Sequence, residues 1–178
     1  MTSSLFLHQA YIGMGSNLGN CQEVLLTSWA WLDAVPGVSC KTLSSPYATE
    51  PVGMLTDHWF VNAVGYLTTR LSPVELLETL HVLEQRAGRV RSPGVSGYQD
   101  RTLDLDLLLF DELIVQTPDL SVPHPQITRR LFVLKPLSEI CPDNLLHPLT
   151  GLSIHHHLRD CLRDNPNYHI RQMQWITD

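Results

Sequence analysis

The chain has 178 residues, 43% of them hydrophobic and 17% charged, and a mean hydropathy of -0.04. That composition suits one soluble domain, residues 1–178, able to bury about 70% of its unfolded surface. A net charge of -6 and a pI near 5.8 argue against a general nucleic-acid binder. The cationic side is nonetheless unusual, because ten of the twelve basic residues are Arg, whose fork grips phosphate bidentately. No run approaches the roughly 20 apolar residues of a membrane span, and the first residues lack a basic, cleavable apolar leader. Cys21, Cys40, Cys141 and Cys161 are dispersed without a C-x-x-C pair, which suits free thiols in a reducing cytoplasm.

In chain order, Leu5 to Gly13 reads as a first strand. Gly13, Gly15, Ser16, Asn17 and Gly19 read as a turn into a helix over about 20–34, which Pro36-Gly37 stops. The turn lacks the G-K-[ST] of a phosphate loop and the full dinucleotide fingerprint. Val38 to Tyr47 and Trp59 to Thr69 read as the second and third strands. Ser72-Pro73-Val74-Glu75 is a capping box with Pro at the first helical position, and Val74, Leu77, Leu80 and Leu83 mark the apolar stripe of that helix. Gly88 ends it.

A fourth strand follows at Asp104-Leu105-Asp106. Alternation puts the two carboxylates on one face, about 6–7 Å apart at Cα. Leu103, Leu105, Leu107 and Leu109 take the other face, while Leu108 and Phe110 continue the carboxylate face. Two half-buried carboxylates this close repel each other and favour a hard cation, of which Mg²⁺ is the natural oxygen-seeking candidate. Arg101 adds a positive charge at the strand's entrance. Metal plus arginine is equipment for polyphosphate chemistry.

The element order is β-α-β-β-α-β, an α+β ferredoxin-like arrangement with helices packed on an antiparallel sheet. Asp111-Glu112 reads as a hairpin turn into Leu113 to Gln116, and helices are expected near 130–140 and 152–163. Tyr168 to Trp175 reads as a terminal strand or a tail, and no function attaches to the chain after about residue 150. The connections Ala48 to His58 and Gly88 to Asp100 are long and contain Gly, as lids often do. The second carries Arg89 and Arg91, with no acidic residue between Glu84 and Asp100. His155-His156-His157 cannot converge on one ion from consecutive helical positions and reads as helix decoration.

Several blocks then occur in a fixed order: Gly15-Ser16-Asn17-Leu18-Gly19, Tyr47-Ala48-Thr49-Glu50-Pro51, Phe60-Val61-Asn62-Ala63, Gly88-Arg89-Val90-Arg91, and Arg101-Thr102-Leu103-Asp104-Leu105-Asp106. Val122-Pro123-His124 and Arg130-Leu131-Phe132-Val133 close the series. Together, over about residues 10–142, they resemble the 6-hydroxymethyl-7,8-dihydropterin pyrophosphokinases of folate synthesis. The resemblance implies transfer of diphosphate from ATP to the hydroxymethyl oxygen of the pterin, with attack on the β-phosphorus and release of AMP.

It also implies roles residue by residue. Two Mg²⁺ would be held by Asp104 and Asp106. Catalysis would add Arg89 and Arg101. ATP would meet His81, Glu84, Arg89, Arg91, Arg101, the backbone of Leu107, His124 and Arg130. The pterin would lie between Phe60 and Phe132, edged by Thr49 and Asn62, with Pro51, the backbone near Val52 and Tyr98 completing the slot. The partners are then ATP and the pterin alone, with no nucleic acid and no membrane, in a monomer or at most a weak dimer. Gln99 and Asp100 depart from the small residue and Pro usual before the motif arginine, which leaves Asp100 beside Arg101. Glu50 departs too, at a position where Pro is frequent, and the stretch from Arg91 to Arg101 is slightly long. From the residues alone, a metal-dependent nucleotidyl cyclase or polymerase-like palm and a non-catalytic nucleotide-binding module remain as alternatives.

Overall fold

The computed structural model describes residues 6–51, 58–89 and 100–176. The strands are β1 (His8–Ser16), β2 (Val38–Leu43), β3 (Tyr47–Thr49), β4 (Phe60–Thr69), β5 (Asp104–Phe110), β6 (Val115–Gln116), β7 (Ser121–Val122) and β8 (Ile170–Gln172). The helices are α1 (Cys21–Asp33), α2 (Pro73–Arg86), α3 (Leu131–Ile140) and α4 (Ile154–Asp164). The main sheet runs β5-β1-β4-β3-β8, with β2 also on β4, and every pairing is antiparallel. This is the expected α+β fold: the last core strand returns beside the first. The four cysteines are free.

Alternation along the strands builds two cores. Ile12, Met14, Ala63, Leu67, Leu105 and Leu107 bury one face under Leu25 and Leu32 of α1 and Leu76, Leu80 and Leu83 of α2. Tyr11, Val64 and Leu108 bury the other against Leu131, Leu134 and Leu137 of α3 and Ile154 and Cys161 of α4. The capping box of α2 forms as expected, with Ser72 Oγ accepting from Glu75 N–H at 3.3 Å and Glu75 Oε2 accepting from Ser72 N–H at 2.8 Å.

Several expectations need correction. β1 continues to Ser16, so Gly13 and Gly15 lie inside a strand rather than in a turn. Their missing side chains serve close packing, since a Cβ on Gly13 would lie 3.2 Å from Leu108 and one on Gly15 3.0 Å from Asn62 Oδ1. The single strand expected over 38–47 is split. Leu43 pairs with Gly65 and Tyr47 with Asn62, so one extra residue is taken up around Ser44–Pro46, where Pro46 has no N–H to give.

In α2, Val74 is 53% exposed and Leu76 is buried in its place. The inward stripe is Leu76, Leu80 and Leu83 at helical spacing, and Glu84 continues it. On β5, Tyr11 pairs with Leu109 and Ile12 with Leu107, so Leu108 is a bulged extra residue. The bulge exchanges the faces beyond it: Leu109 joins the α3 side and Phe110 the α2 side, opposite to strict alternation. After the turn at Asp111, β6 pairs with β7 in a separate two-stranded sheet, not back onto β5. The tail reading resolves as a strand, β8, on the free side of β3.

Candidate active site

Asp104 and Asp106 open β5 on the side facing α3. They line a cleft with Gly13 and Gly15 of β1, Asn62 of β4, and Phe132 in the first turn of α3. The bulge at Leu108 lies beyond both carboxylates, so their shared face is undisturbed.

Asp104 is held by two guanidiniums: Arg89 contacts Oδ1, and Arg101 Nη1 lies 2.8 Å from Oδ2. Arg89 also contacts Glu84, whose Oε1 accepts from Leu105 N–H at 2.8 Å. Burial pulls the Arg89 guanidinium down in pKa, but Asp104 and Glu84 outweigh it and leave it above its usual value. Burial pushes the Asp106 carboxyl up to about 6; Asp104 adds to the rise, Arg130 and Arg101 oppose it, and Glu84 adds a smaller push. Asp106 is therefore short of positive charge. Asp104 and Asp106 fit Mg²⁺, an ion commonly held by one or two carboxylates with substrate phosphates completing its shell. Among the described residues no three His, Cys, Asp or Glu side chains converge as a self-sufficient metal cage.

His124 reaches the site from the loop before α3. Its N–H donates to Leu108 O (2.9 Å), and its Nδ1 accepts from Gln126 N–H (3.1 Å). Burial lowers its pKa to about 4, Arg130 acting in the same direction and Asp104 against it. It is neutral near pH 7, and with Nδ1 accepting, its proton sits on Nε2. Arg130 caps α3 and lies 5.5 Å from the ring centroid of Phe132, as Arg101 lies 5.8 Å from that of Phe60.

The neighbouring end of the cleft is neutral. Asn62 Nδ2 donates to Thr49 Oγ1 at 2.8 Å, and both residues are buried. Thr49 stands opposite Phe60 across the β3–β4 ladder, so Thr49, Phe60 and Asn62 share one sheet face. Pro51 lies two residues after the end of β3, separated from Thr49 only by Glu50. A second cleft, sharing Arg89 and Glu84 with the carboxylate end, is lined by His81, Glu84, Gln85 and Arg89. Leu107 buries its side chain in the core, while strand alternation leaves its backbone on the same outer edge of β5 as Leu105 N–H.

Thus Arg89, Arg101, Asp104, Asp106, His124, Arg130, Thr49, Phe60, Asn62 and Phe132 gather around one cleft, with His81 and Glu84 beside it. Glu84 is only 3% exposed and is engaged by Arg89 and Leu105 N–H, so it braces the site from below. Val52, Arg91, Tyr98 and Gln99 lie outside the described residues, as do the central parts of both lid connections.

The sequence attaches no function to Asn17. Its Oδ1 accepts from Arg101 N–H (2.7 Å), its Nδ2 donates to Asp100 (2.6 Å), and its own N–H donates to Arg101 O (3.1 Å). Asp100 also meets His58 Nδ1 at 3.0 Å. The signal was Asn17's place in the Gly15–Gly19 block, but only the fold brings that block to Arg101. In the triple-histidine run, His156 lies 3.2 Å from Asp160, and His157 is buried against Thr150 at 2.7 Å.

The family model for 7,8-dihydro-6-hydroxymethylpterin-pyrophosphokinase (HPPK) matches residues 11–142. A Bacillus subtilis 2-amino-4-hydroxy-6-hydroxymethyldihydropteridine pyrophosphokinase is 42% identical over 132 residues, covering 74% of this chain and 77% of that protein. A Pseudomonas aeruginosa protein of the same name is 36% identical over 137 residues, covering 77% and 83%. The Schizosaccharomyces pombe folic acid synthesis protein fol1 is 34% identical over 162 residues, which is 91% of this chain but 21% of that one. Among solved structures, Plasmodium falciparum HPPK-DHPS with pteroate superposes with a TM-score of 0.71 at 13% identity, over 93% of this chain and 44% of that one. This chain therefore spans less than half of the solved protein, and the likeness to it is one of fold. With most of its length matched by the family and by relatives of similar size, the chain belongs to the 7,8-dihydro-6-hydroxymethylpterin-pyrophosphokinase family.

Proposed function

We propose that this protein transfers diphosphate from ATP to the hydroxymethyl oxygen of 6-hydroxymethyl-7,8-dihydropterin. The new bond joins that oxygen to the β-phosphorus, the bond from the β-phosphorus to the α,β-bridging oxygen breaks, and AMP leaves as the hydroxyl proton is released. One observation carries the reading: paired carboxylates flanked by arginines open onto the same cleft as a neutral amide–hydroxyl slot with aromatic residues beside it. Family membership sets aside the cyclase or palm and the non-catalytic binding module.

Asp104 and Asp106 are the residues that would hold Mg²⁺, two ions by family resemblance. An ion held there would neutralise charge on the phosphate oxygens. Arg89 and Arg101, engaged by Asp104 in the structure, turn to phosphate oxygens once that carboxylate is occupied, an exchange of one oxyanion partner for another. His124, its Nδ1 engaged by Gln126 N–H, offers Nε2 to a phosphate oxygen. Arg130 balances Asp106 and the triphosphate. His81, Glu84, Gln85 and the outer backbone edge at Leu107 border the nucleoside. Phe60 and Phe132 take the pterin faces, and Thr49 and Asn62 its edge. By family resemblance alone, Arg91 would add a phosphate contact, and Pro51, Val52 and Tyr98 would add pterin contacts. On this reading residues 1–178 work as one cytoplasmic domain, a monomer or at most a weak dimer. No helix among the described residues is long and apolar enough to cross a membrane.

Incubation with ATP, Mg²⁺ and the hydroxymethyl pterin tests this reading. One AMP should form per pterin consumed; pterin turnover without AMP contradicts it.

A further inference from the structure

Residues 143–178 lie beyond the stretch matched by the family, yet their last part grips one strand of the cleft. β8 runs antiparallel to β3, with Ile170 opposite Thr49. Glu50 N–H donates to His169 O at 3.4 Å, Met173 N–H to Pro46 O at 2.8 Å, and Trp175 Nε1 to Ser44 O at 2.9 Å. The bonds at 50/169 and 46/173 make Ala48 and Arg171 the hydrogen-bonded pair midway between them. β3 has only three residues, in a stretch of four between Pro46 and Pro51. A strand that short has few ladder bonds of its own, and β8 doubles them.

The side chains continue the same connection inward. Tyr168 is packed against the α3–α4 core, and its hydroxyl donates to Glu50 O at 3.4 Å. Glu50 directly follows Thr49 in the chain, so the Tyr168 hydroxyl holds the backbone next to Thr49. Thr49 Oγ1 in turn accepts from Asn62 Nδ2 at 2.8 Å.

We propose that the C-terminal segment Tyr168–Trp175 is a positioning element of the pterin site, in which β8 and the Tyr168 hydroxyl fix Thr49, and through it the Asn62 amide that meets the edge of a flat heterocycle. This rests on the assignment of Thr49 and Asn62 to the pterin. Tyr168 touches no substrate; it acts through Thr49.

Three variants of the full chain test it: Tyr168→Phe, which keeps the ring and removes the hydroxyl; Arg171→Pro, which removes the N–H from the ladder bond to Ala48; and Thr49→Val, which tests the pterin assignment itself. Tyr168→Phe is expected to raise the pterin KM and Kd roughly three- to tenfold, the effect of one neutral hydrogen bond, with kcat and the KM for ATP unchanged and the thermal midpoint held. Arg171→Pro is expected to move pterin binding in the same direction. If Thr49→Val weakens pterin binding and Tyr168→Phe does not, the inference is overturned while the pterin assignment stands. If neither does, both fall. Equal losses for ATP and pterin in Tyr168→Phe, with a lowered thermal midpoint, would mean that the segment only holds the fold together, which also overturns it.

Discussion

At the Asp104 end of the cleft, carboxylates are answered by guanidiniums, whereas at the Asn62 end the contacts are neutral hydrogen bonds within the sheet. The charged end is assembled from partners that a nucleotide must rearrange, because Arg89 and Arg101 sit on Asp104 and Asp106 is buried with too little positive charge around it. The neutral end is satisfied internally and already has its shape, through Thr49 and Asn62. Such an arrangement spends little ordering entropy when a rigid ring binds. The two ends should therefore fail differently: damage to the first should appear in turnover, and damage to the second in pterin affinity.

The sharpest way to break that contrast is Asp106→Ala. Removing a metal ligand should lower turnover by at least roughly a hundredfold while pterin affinity in the absence of nucleotide stays nearly constant. Activity above a few per cent would remove Asp106 from the metal site. Arg101→Ala comes next, with an expected loss in kcat on the order of tenfold to a hundredfold and a much smaller change in the pterin Kd. Equal losses in both would place Arg101 in substrate binding instead.

The smallest expected effect is on stability. The His124 pKa is held down at about 4 by burial and by Arg130, so between pH 6.5 and 4 the folded protein binds fewer protons than the unfolded chain. The stability this provides is fully present above about pH 6.5 and is lost as pH falls toward 4. Thermal midpoints from pH 7 to 4.5 should drop less steeply in His124→Gln, by a few degrees at the acid end. Parallel curves for the two proteins would show that His124 is not held neutral by the fold.

Where the chemistry is local, the chain was readable. The α2 capping box needs only Ser72 and Glu75, and the shared face of Asp104 and Asp106 needs only two positions of strand geometry. Long-range contacts were not readable. Gly13 and Gly15 look like turn residues until Leu108 and Asn62 are seen pressing on them. The bulge at Leu108 arises from register against β1, and it moves Leu109 and Phe110 to faces that alternation along one strand cannot anticipate. The apolar stripe of α2 reads as starting at Val74, but the helix is rolled so that Leu76 faces inward instead, and Glu84 lies under β5. Asn17 and Arg101 are 84 positions apart in the chain, and β8 meets β3 across a still longer separation. In each case the decisive partner is set by tertiary packing that no sequence window contains.

The central step of the proposed reaction is attack at the β-phosphorus beside Asp104 and Asp106. Phosphorus NMR of a reaction holding ATP, Mg²⁺ and the hydroxymethyl pterin reads that step directly. The wild-type protein should yield AMP and a pterin diphosphate in equal amounts, and Asp106→Ala neither. Appearance of ADP with a pterin monophosphate, or equal product from the variant, would contradict it.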